Sequence, residues 1–145
     1  MPRHFDMVRK IQRGELPPPP IATLIGFTLE EVEAGRAVVA LKAERRHANP
    51  MGTLHGGILC DVADAAMGIA YSTTLDEGET FTTLELKINF LKPVRTGRIV
   101  ATGRVVKAGH TVGLIECDVV DDKERLVARA SSTCMTLRGE QAVGR

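Results

Sequence analysis

The sequence has no tryptophan, one tyrosine and four phenylalanines in 145 residues, too few aromatic faces for a platform on which nucleic-acid bases stack. It also lacks an excess of either charge. Its 19 basic and 18 acidic residues give a net charge of +1 and are largely interspersed, so no whole-molecule field draws the chain to nucleic acid or to an anionic membrane. No run approaches the roughly 20 apolar residues that span a bilayer, and the opening MPRHFDMVRK lacks the apolar stretch of a secretion signal. Cysteine is scarce: Cys60, Cys117 and Cys134 are odd in number, lie in apolar stretches and show no metal-type spacing. They read as reduced core thiols of a cytoplasmic protein. The four histidines, His4, His47, His55 and His110, form no H-E-x-x-H pattern, and there is neither a G-x-S-x-G elbow nor a phosphate-binding P-loop. The expectation is a protein with no metal, no cofactor, no nucleic-acid partner and no membrane partner.

What is present is an ordinary globular composition, 43% hydrophobic and 26% charged, on a length that suits one domain. Phe5, Val8 and Ile11 fall at helical spacing and predict a short amphipathic helix. GELPPPP, residues 14–20, predicts an extended connector, since four consecutive prolines supply no backbone donors. Residues 1–20 are therefore expected to be an N-terminal helix and connector, 21–138 the main domain and 139–145 a loose tail. Extended segments near 26–32 and 36–43, with Ala34 and Gly35 between them, predict a hairpin. Pro50 and Gly52 break any regular element after it. A helix is expected from His55 to near Leu75, followed by period-two segments that form antiparallel strands. In the first of these, TLELKINFL, alternation places Leu84, Leu86, Ile88 and Phe90 on one face and Thr83, Glu85, Lys87 and Asn89 on the other.

In GTLHGGILCDVADAAMG, residues 52–68, and the two residues after it, Ile58, Leu59, Val62, Ala63, Ala66, Met67, Ile69 and Ala70 spread around well over half of a helical circumference. Such a helix is buried on most sides, and a curved sheet wrapped around it supplies the cover. The fold class is α+β: an antiparallel sheet of about six strands around one long central helix. The remaining arc carries Asp61 and Asp64 with Ala65 and Gly68. Burying a carboxylate is costly, so folding alone would not choose it; periodicity does not say which of the two acids is functional. His55, Gly56 and Gly57 stand at the helix start, where unpaired N–H groups and the positive end of the helix dipole face outward. That is either a donor set for an anion or a developing oxyanion, or simply a tight turn. Nine steps of about 1.5 Å put His55 and Asp64 roughly 13 Å apart along the axis. A base and an oxyanion donor must each lie about 3 Å from the reacting group, so cooperation between them calls for a second copy with its helix antiparallel to the first. Lys92, Arg95, Lys107 and His110, near strand ends and turns, are candidates for a basic rim.

The segment NPMGTLHGGILCDVADAAMG, followed by TTLELKINFLKPVRTGRIVATGRVVKAGHT, resembles the hotdog-fold acyl-CoA thioesterases of the phenylacetate-pathway (PaaI-like) type. The resemblance covers residues 22–137 and implies hydrolysis of an acyl- or aryl-CoA thioester, with coenzyme A entering only as part of the substrate. It implies a homodimer with a continuous sheet, commonly paired into a homotetramer. It marks Asp64, nine residues after His55, as the catalytic acidic residue, acting as general base or as nucleophile, and leaves Asp61 a supporting or structural role. It matches Gly56 to the glycine whose N–H polarises the thioester carbonyl, His55 and Asn49 to polar residues that orient carbonyl or water, and Thr83 to a residue assisting the water. Gly57, Arg95, Lys107, Gly109, His110 and Thr111 are the corresponding candidates for substrate contact, the last five for the carrier's phosphates. Met67, Ile58 and Phe81 are expected to line the acyl pocket.

Overall fold

Two periodicities divide the chain, and a computed structural model, describing residues 3–145, shows how they combine. The elements are α1 (Arg3–Gln12), α2 (Pro20–Ile25), β1 (Phe27–Glu33), β2 (Arg36–Ala43), α3 (Gly56–Ser72), β3 (Thr80–Phe90), β4 (Gly97–Ala108), β5 (Val112–Val120) and β6 (Leu126–Leu137). All six strands join one antiparallel sheet in the order β1-β2-β4-β5-β6-β3. The sheet curves around α3, whose Val62, Ala63, Ala66, Met67 and Ala70 are completely buried against Val39, Ile99, Ala101, Ile115 and Val119 of the strands. This is the hotdog fold expected from the sequence. Among the described residues no helix is long and apolar enough to cross a membrane.

The helix lies on the sheet so closely that one position tolerates no side chain. A Cβ on Gly103 of β4 would stand 2.5 Å from the Ala66 carbonyl oxygen. The far end of α3 is tied down by hydroxyls. Tyr71 Oη and Thr136 Oγ1 share a buried 2.7 Å hydrogen bond, and Thr73 Oγ1 donates to the Ala70 carbonyl while accepting from Gly35 N–H in the β1–β2 turn. The helix therefore ends at Ser72, short of the expected Leu75, because Thr73 spends its side chain on capping and cross-linking.

The proline connector is shorter than expected. Pro20 starts α2, at a position where a missing N–H costs nothing, and Gly26 ends it in the left-handed conformation (φ 95°). Helix α1 packs on the domain through buried Phe5 and Val8, and Gln12 Nε2 donates to the Glu30 carbonyl of β1 at 2.9 Å. One sheet edge is thus partly covered by the chain's own helix. The opposite edge strand, β3, is paired on one side with β6, has no strand on its outer side among the described residues, and exposes Leu84 and Phe90, with Leu91 just beyond. A long, apolar, unpaired edge is what a soluble chain normally avoids. Residues 139–142 form one 3-10 turn in the predicted tail.

The alternation read along β3 is broken by a bulge. Thr83 pairs with Cys134, but the next pair is Glu85 with Thr133, so Leu84 is extra. The consequence is a change of face: Leu86 and Ile88 pack on the core as expected, Leu84 is turned out to solvent, and Thr83 joins the helix-facing set.

Candidate active site

The approach to α3 is built from side chains that satisfy backbone groups. Buried His47 accepts from Glu44 N–H at Nδ1 (3.0 Å), so its Nε2 carries the proton donated to the Ile25 carbonyl (2.7 Å). Its own carbonyl accepts from His55 N–H. Asn49 holds the following turn: Oδ1 accepts from Met51 and Thr53 N–H, and Nδ2 donates to Thr53 Oγ1. The Asn49 oxygen and one of its two amide N–H groups are therefore spent on shaping the loop. His55 is the N-cap, with Nδ1 accepting from Gly57 N–H at 2.8 Å. Gly57 thus spends its amide on the cap, which leaves Gly56 N–H without a partner among the described residues. It points outward at the positive end of a 17-residue helix. The Phe90 ring closes over this position, since a Cβ on Gly56 would lie 2.9 Å from Phe90 Cζ.

Gly56, Cys60, Asp64 and Gly68 follow one another at four-residue spacing and share one ridge of α3. This ridge faces β3. Phe90 sits at Gly56, Thr83 at Asp64 and Phe81 at Gly68, with Phe81 edge-on to Tyr71 at 5.6 Å between ring centroids. Thr83 Oγ1 donates to Asp64 Oδ1 in a long 3.4 Å bond. Burial pushes the Asp64 carboxyl above the ordinary aspartate range, the Thr83 hydrogen bond pulls the other way, and the Asp61 charge adds to the rise. Both acids keep solvent-accessible surface in the single chain; Asp61 is raised by the cover of nearby chain alone, whereas Asp64 lies against β3 and has Thr83 as a partner. The structure therefore distinguishes the acids that periodicity could not: Asp64 has a hydroxyl partner and faces the sheet edge. A raised carboxyl beside an apolar edge is a suitable proton acceptor for chemistry near neutral pH.

The other candidate residues separate into two groups. Arg95 lines a cleft of about 350 Å³ with Thr53, Lys92, Arg98 and Arg125, beside the start of α3. At its base Asp121 binds Lys92 (3.2 Å) and Arg125 (2.8 Å). Burial alone would raise the Asp121 carboxyl, but the N–H groups of Arg125 and Lys123 and the two cations hold it far below the usual range. Lys107, Gly109, His110 and Thr111 lie at the β4–β5 turn near the other end of α3, where His110 stands close to Glu79. Gly109 N–H and the Thr111 carbonyl are spent on Val112 and Thr136. One chain therefore does not gather Arg95 and the turn residues around a single phosphate. Met67 is completely buried in the chain's own core, which removes it from the expected acyl-pocket lining; Ile58 and Phe81 remain partly exposed on the helix and β3. Two residues escaped the sequence reading. Alternation assigns Phe90 only to the apolar face of β3, with no link to Gly56, and Cys134 reads as a bare core thiol, although it packs against Thr83 (Sγ to Oγ1, 3.7 Å).

A sheet-wrapped helix that carries a free amide at its start and a raised carboxylate on the same ridge defines a hotdog-fold protein equipped for acyl chemistry. Residues 51–128 match the thioesterase superfamily, and the chain belongs to that family of hydrolases. It is similar to the 1,4-dihydroxy-2-naphthoyl-CoA hydrolase of Listeria monocytogenes, 29% identical over 109 residues that cover 75% of this chain and 89% of the relative. It is also similar to human acyl-coenzyme A thioesterase 13, 29% identical over 74% of this chain and 77% of the relative. Among solved structures, the phenylacetic acid degradation-related protein of Ralstonia eutropha JMP134 superposes with a TM-score of 0.82 at 30% identity, covering 92% of this chain and 99% of that one.

Proposed function

We propose that the protein hydrolyses acyl-CoA or aryl-CoA thioesters to the free acid and CoA, in a site completed by a second copy of the chain. The observation that carries this reading is the ridge of α3, with an unpartnered Gly56 amide at one end and the raised Asp64 carboxylate in the middle. Eight residues separate them, about 12 Å along the axis. No single carbonyl reaches both. Pairing of the open β3 edge with its counterpart around a two-fold axis sets two α3 helices antiparallel, so that Gly56 of one copy approaches Asp64 of the other. A homodimer with two such sites follows, and two dimers joining as a homotetramer extend the same reading.

In that site the thioester oxygen accepts from Gly56 N–H, whose strength grows as negative charge develops on the oxygen. Asp64 takes a proton from water as the water oxygen attacks the carbonyl carbon. Collapse of the tetrahedral species breaks the C–S bond and releases CoA thiolate. In the alternative route the Asp64 oxygen attacks first and the C–S bond breaks to expel CoA thiolate, forming an anhydride that water then opens to the free acid and the Asp64 carboxylate. Thr83 steadies the carboxylate in either route, and His55 and Asn49 act by fixing the amide's position. Arg95 at one end of α3 and Lys107 and His110 at the other contribute to a carrier site shared between copies. The chemistry calls for no cofactor beyond the CoA that the substrate brings, and three free thiols suit a cytoplasmic setting.

The test is a panel of aryl, short-chain and long-chain acyl-CoA esters with thiol release as the readout, comparing wild type with Asp64→Asn. The expected result is hydrolysis by the wild type and a kcat lowered at least about 100-fold in the variant, with fold and assembly intact. Full activity in Asp64→Asn refutes the assignment of the acid. Binding of the esters without hydrolysis of any of them refutes the catalytic reading in favour of a ligand-sensing one.

A further inference from the structure

Behind the Asp64–Thr83 pair stands a buried thiol to which the proposed mechanism gives no task. Cys134 of β6 is directly opposite Thr83 in the β3–β6 register, and its side chain is completely buried. Thr83 Oγ1 lies 3.7 Å from Cys134 Sγ on one side and 3.4 Å from Asp64 Oδ1 on the other. We infer that Cys134 is a positioning residue: its S–H donates to Thr83 Oγ1 and thereby commits the single Thr83 hydroxyl proton to the Asp64 carboxylate.

The argument is one of proton accounting. A threonine hydroxyl has one proton to give and lone pairs to receive. An ionised carboxylate only accepts. If Thr83 gave its proton to the sulfur, a lone pair would face the Asp64 oxygen and the carboxylate would lose a partner. With the thiol as donor, every contact in the row Cys134–Thr83–Asp64 is satisfied in one direction, and donation into Thr83 Oγ1 polarises its hydroxyl so that it gives more strongly to Asp64, a gain the alanine and valine variants lose. The thiol is able to hold that role because burial pushes its pKa up and keeps the proton on sulfur. Ser132 Oγ, two residues earlier on β6, is buried and close enough to favour an ionised Cys134, but it makes no geometrically formed hydrogen bond among the described residues, whereas the Thr83 contact does. The bulge at Leu84 makes the row possible, since without it the alternation along β3 would not bring both Thr83 and the downstream apolar residues to the helix side.

This inference rests on the proposed role of Asp64, and its test is built to separate the two. The titratable groups bearing on Asp64 are Asp61 and Cys60 on its own helix and Cys134 on β6; from β3 the partner is the neutral Thr83. Cys134→Ala, Cys134→Val and Cys134→Ser are compared with wild type, the valine variant guarding against a cavity that unfolds the protein. Cys117→Ala is the control for a buried thiol on neighbouring β5 that does not touch Thr83. Two readouts are taken: the pH profile of kcat/KM, and the titration of the Asp64 carboxyl by carbon-13 NMR, its signal assigned by its loss in Asp64→Asn. The expected result is an Asp64 pKa above that of wild type in Cys134→Ala and Cys134→Val, and a kcat/KM lowered about threefold on the acid limb, the scale of one modest hydrogen bond. Cys134→Ser, which keeps a donor, restores both, and Cys117→Ala moves neither. An Asp64 titration unchanged in the alanine and valine variants overturns the inference, even if turnover still depends on Asp64. If turnover does not depend on Asp64, the catalytic reading fails instead, while the NMR titration still reports on the thiol.

Discussion

Replacing Gly56 by proline isolates the one amide on which the proposed chemistry depends. Gly56 is the first residue of α3, where proline is well accommodated, and His55 before it already has the extended backbone (φ −63°, ψ 135°) that a following proline requires. The N–H removed has no partner among the described residues, so folding loses no hydrogen bond there. Proline adds bulk as well, and its Cβ would stand 2.9 Å from Phe90 Cζ. That ring is 54% exposed and free to swing aside. Gly56→Ala supplies the control, because it brings the same Cβ against Phe90 while keeping the N–H. Removing one oxyanion donor costs about 2.7 to 4 kcal/mol of barrier, or about 10²–10³ in kcat. We therefore expect Gly56→Pro to fall in kcat by about that factor below Gly56→Ala, with similar thermal unfolding of the two proteins. Thiol release from a CoA ester accepted by the wild type measures the first, and circular dichroism the second. Equal kcat values in Gly56→Pro and Gly56→Ala would refute the assignment of the amide.

Mixing Gly56→Pro with Asp64→Asn tests whether the site is shared. If each site takes Gly56 from one copy and Asp64 from the other, every heterodimer has one intact site, and random pairing restores about one quarter of wild-type activity in a dimer of two-fold symmetry; a site contained in one chain restores none. Gly103→Ala forces a Cβ to within 2.5 Å of the α3 backbone, and we expect a loss of about 1–3 kcal/mol in urea unfolding, as for other overpacked cores; a change under about 0.5 kcal/mol would show that the helix can lift freely. The raised Asp64 pKa also has a consequence for stability. A carboxyl whose pKa is higher folded than unfolded favours the fold while protonated, and that contribution is lost as pH rises through the folded value. Asp64→Asn should therefore be more stable than wild type at neutral pH, with the difference shrinking below the ordinary aspartate range, as paired urea titrations at several pH values would reveal.

Local spacing was enough to define the strands, the central helix and the ridge of small residues beside two acids, because the orientation of each side chain along a helix or strand repeats with a fixed period. The same spacing gave the distance that rules out one chain gripping a carbonyl with both Gly56 and Asp64. Periodicity could not see the bulge at Leu84, which arises from how β3 pairs with β6, a segment some 50 residues away. That pairing alone brings Thr83 to Asp64 and Cys134 behind it. Hydrogen bonds within a few residues, which periodicity does not register, turned Asn49 and Gly57 into supports of the loop and cap, while long-range packing drew Met67 into the core and set Arg95 and the Lys107–Thr111 turn at opposite ends of α3. Choosing between the two acids required a resemblance or a fold, since Asp61 and Asp64 lie on the same arc and differ only in what the sheet presents to them. A sequence fixes which faces are available; which groups meet across them depends on register and curvature, and those are properties of the whole sheet.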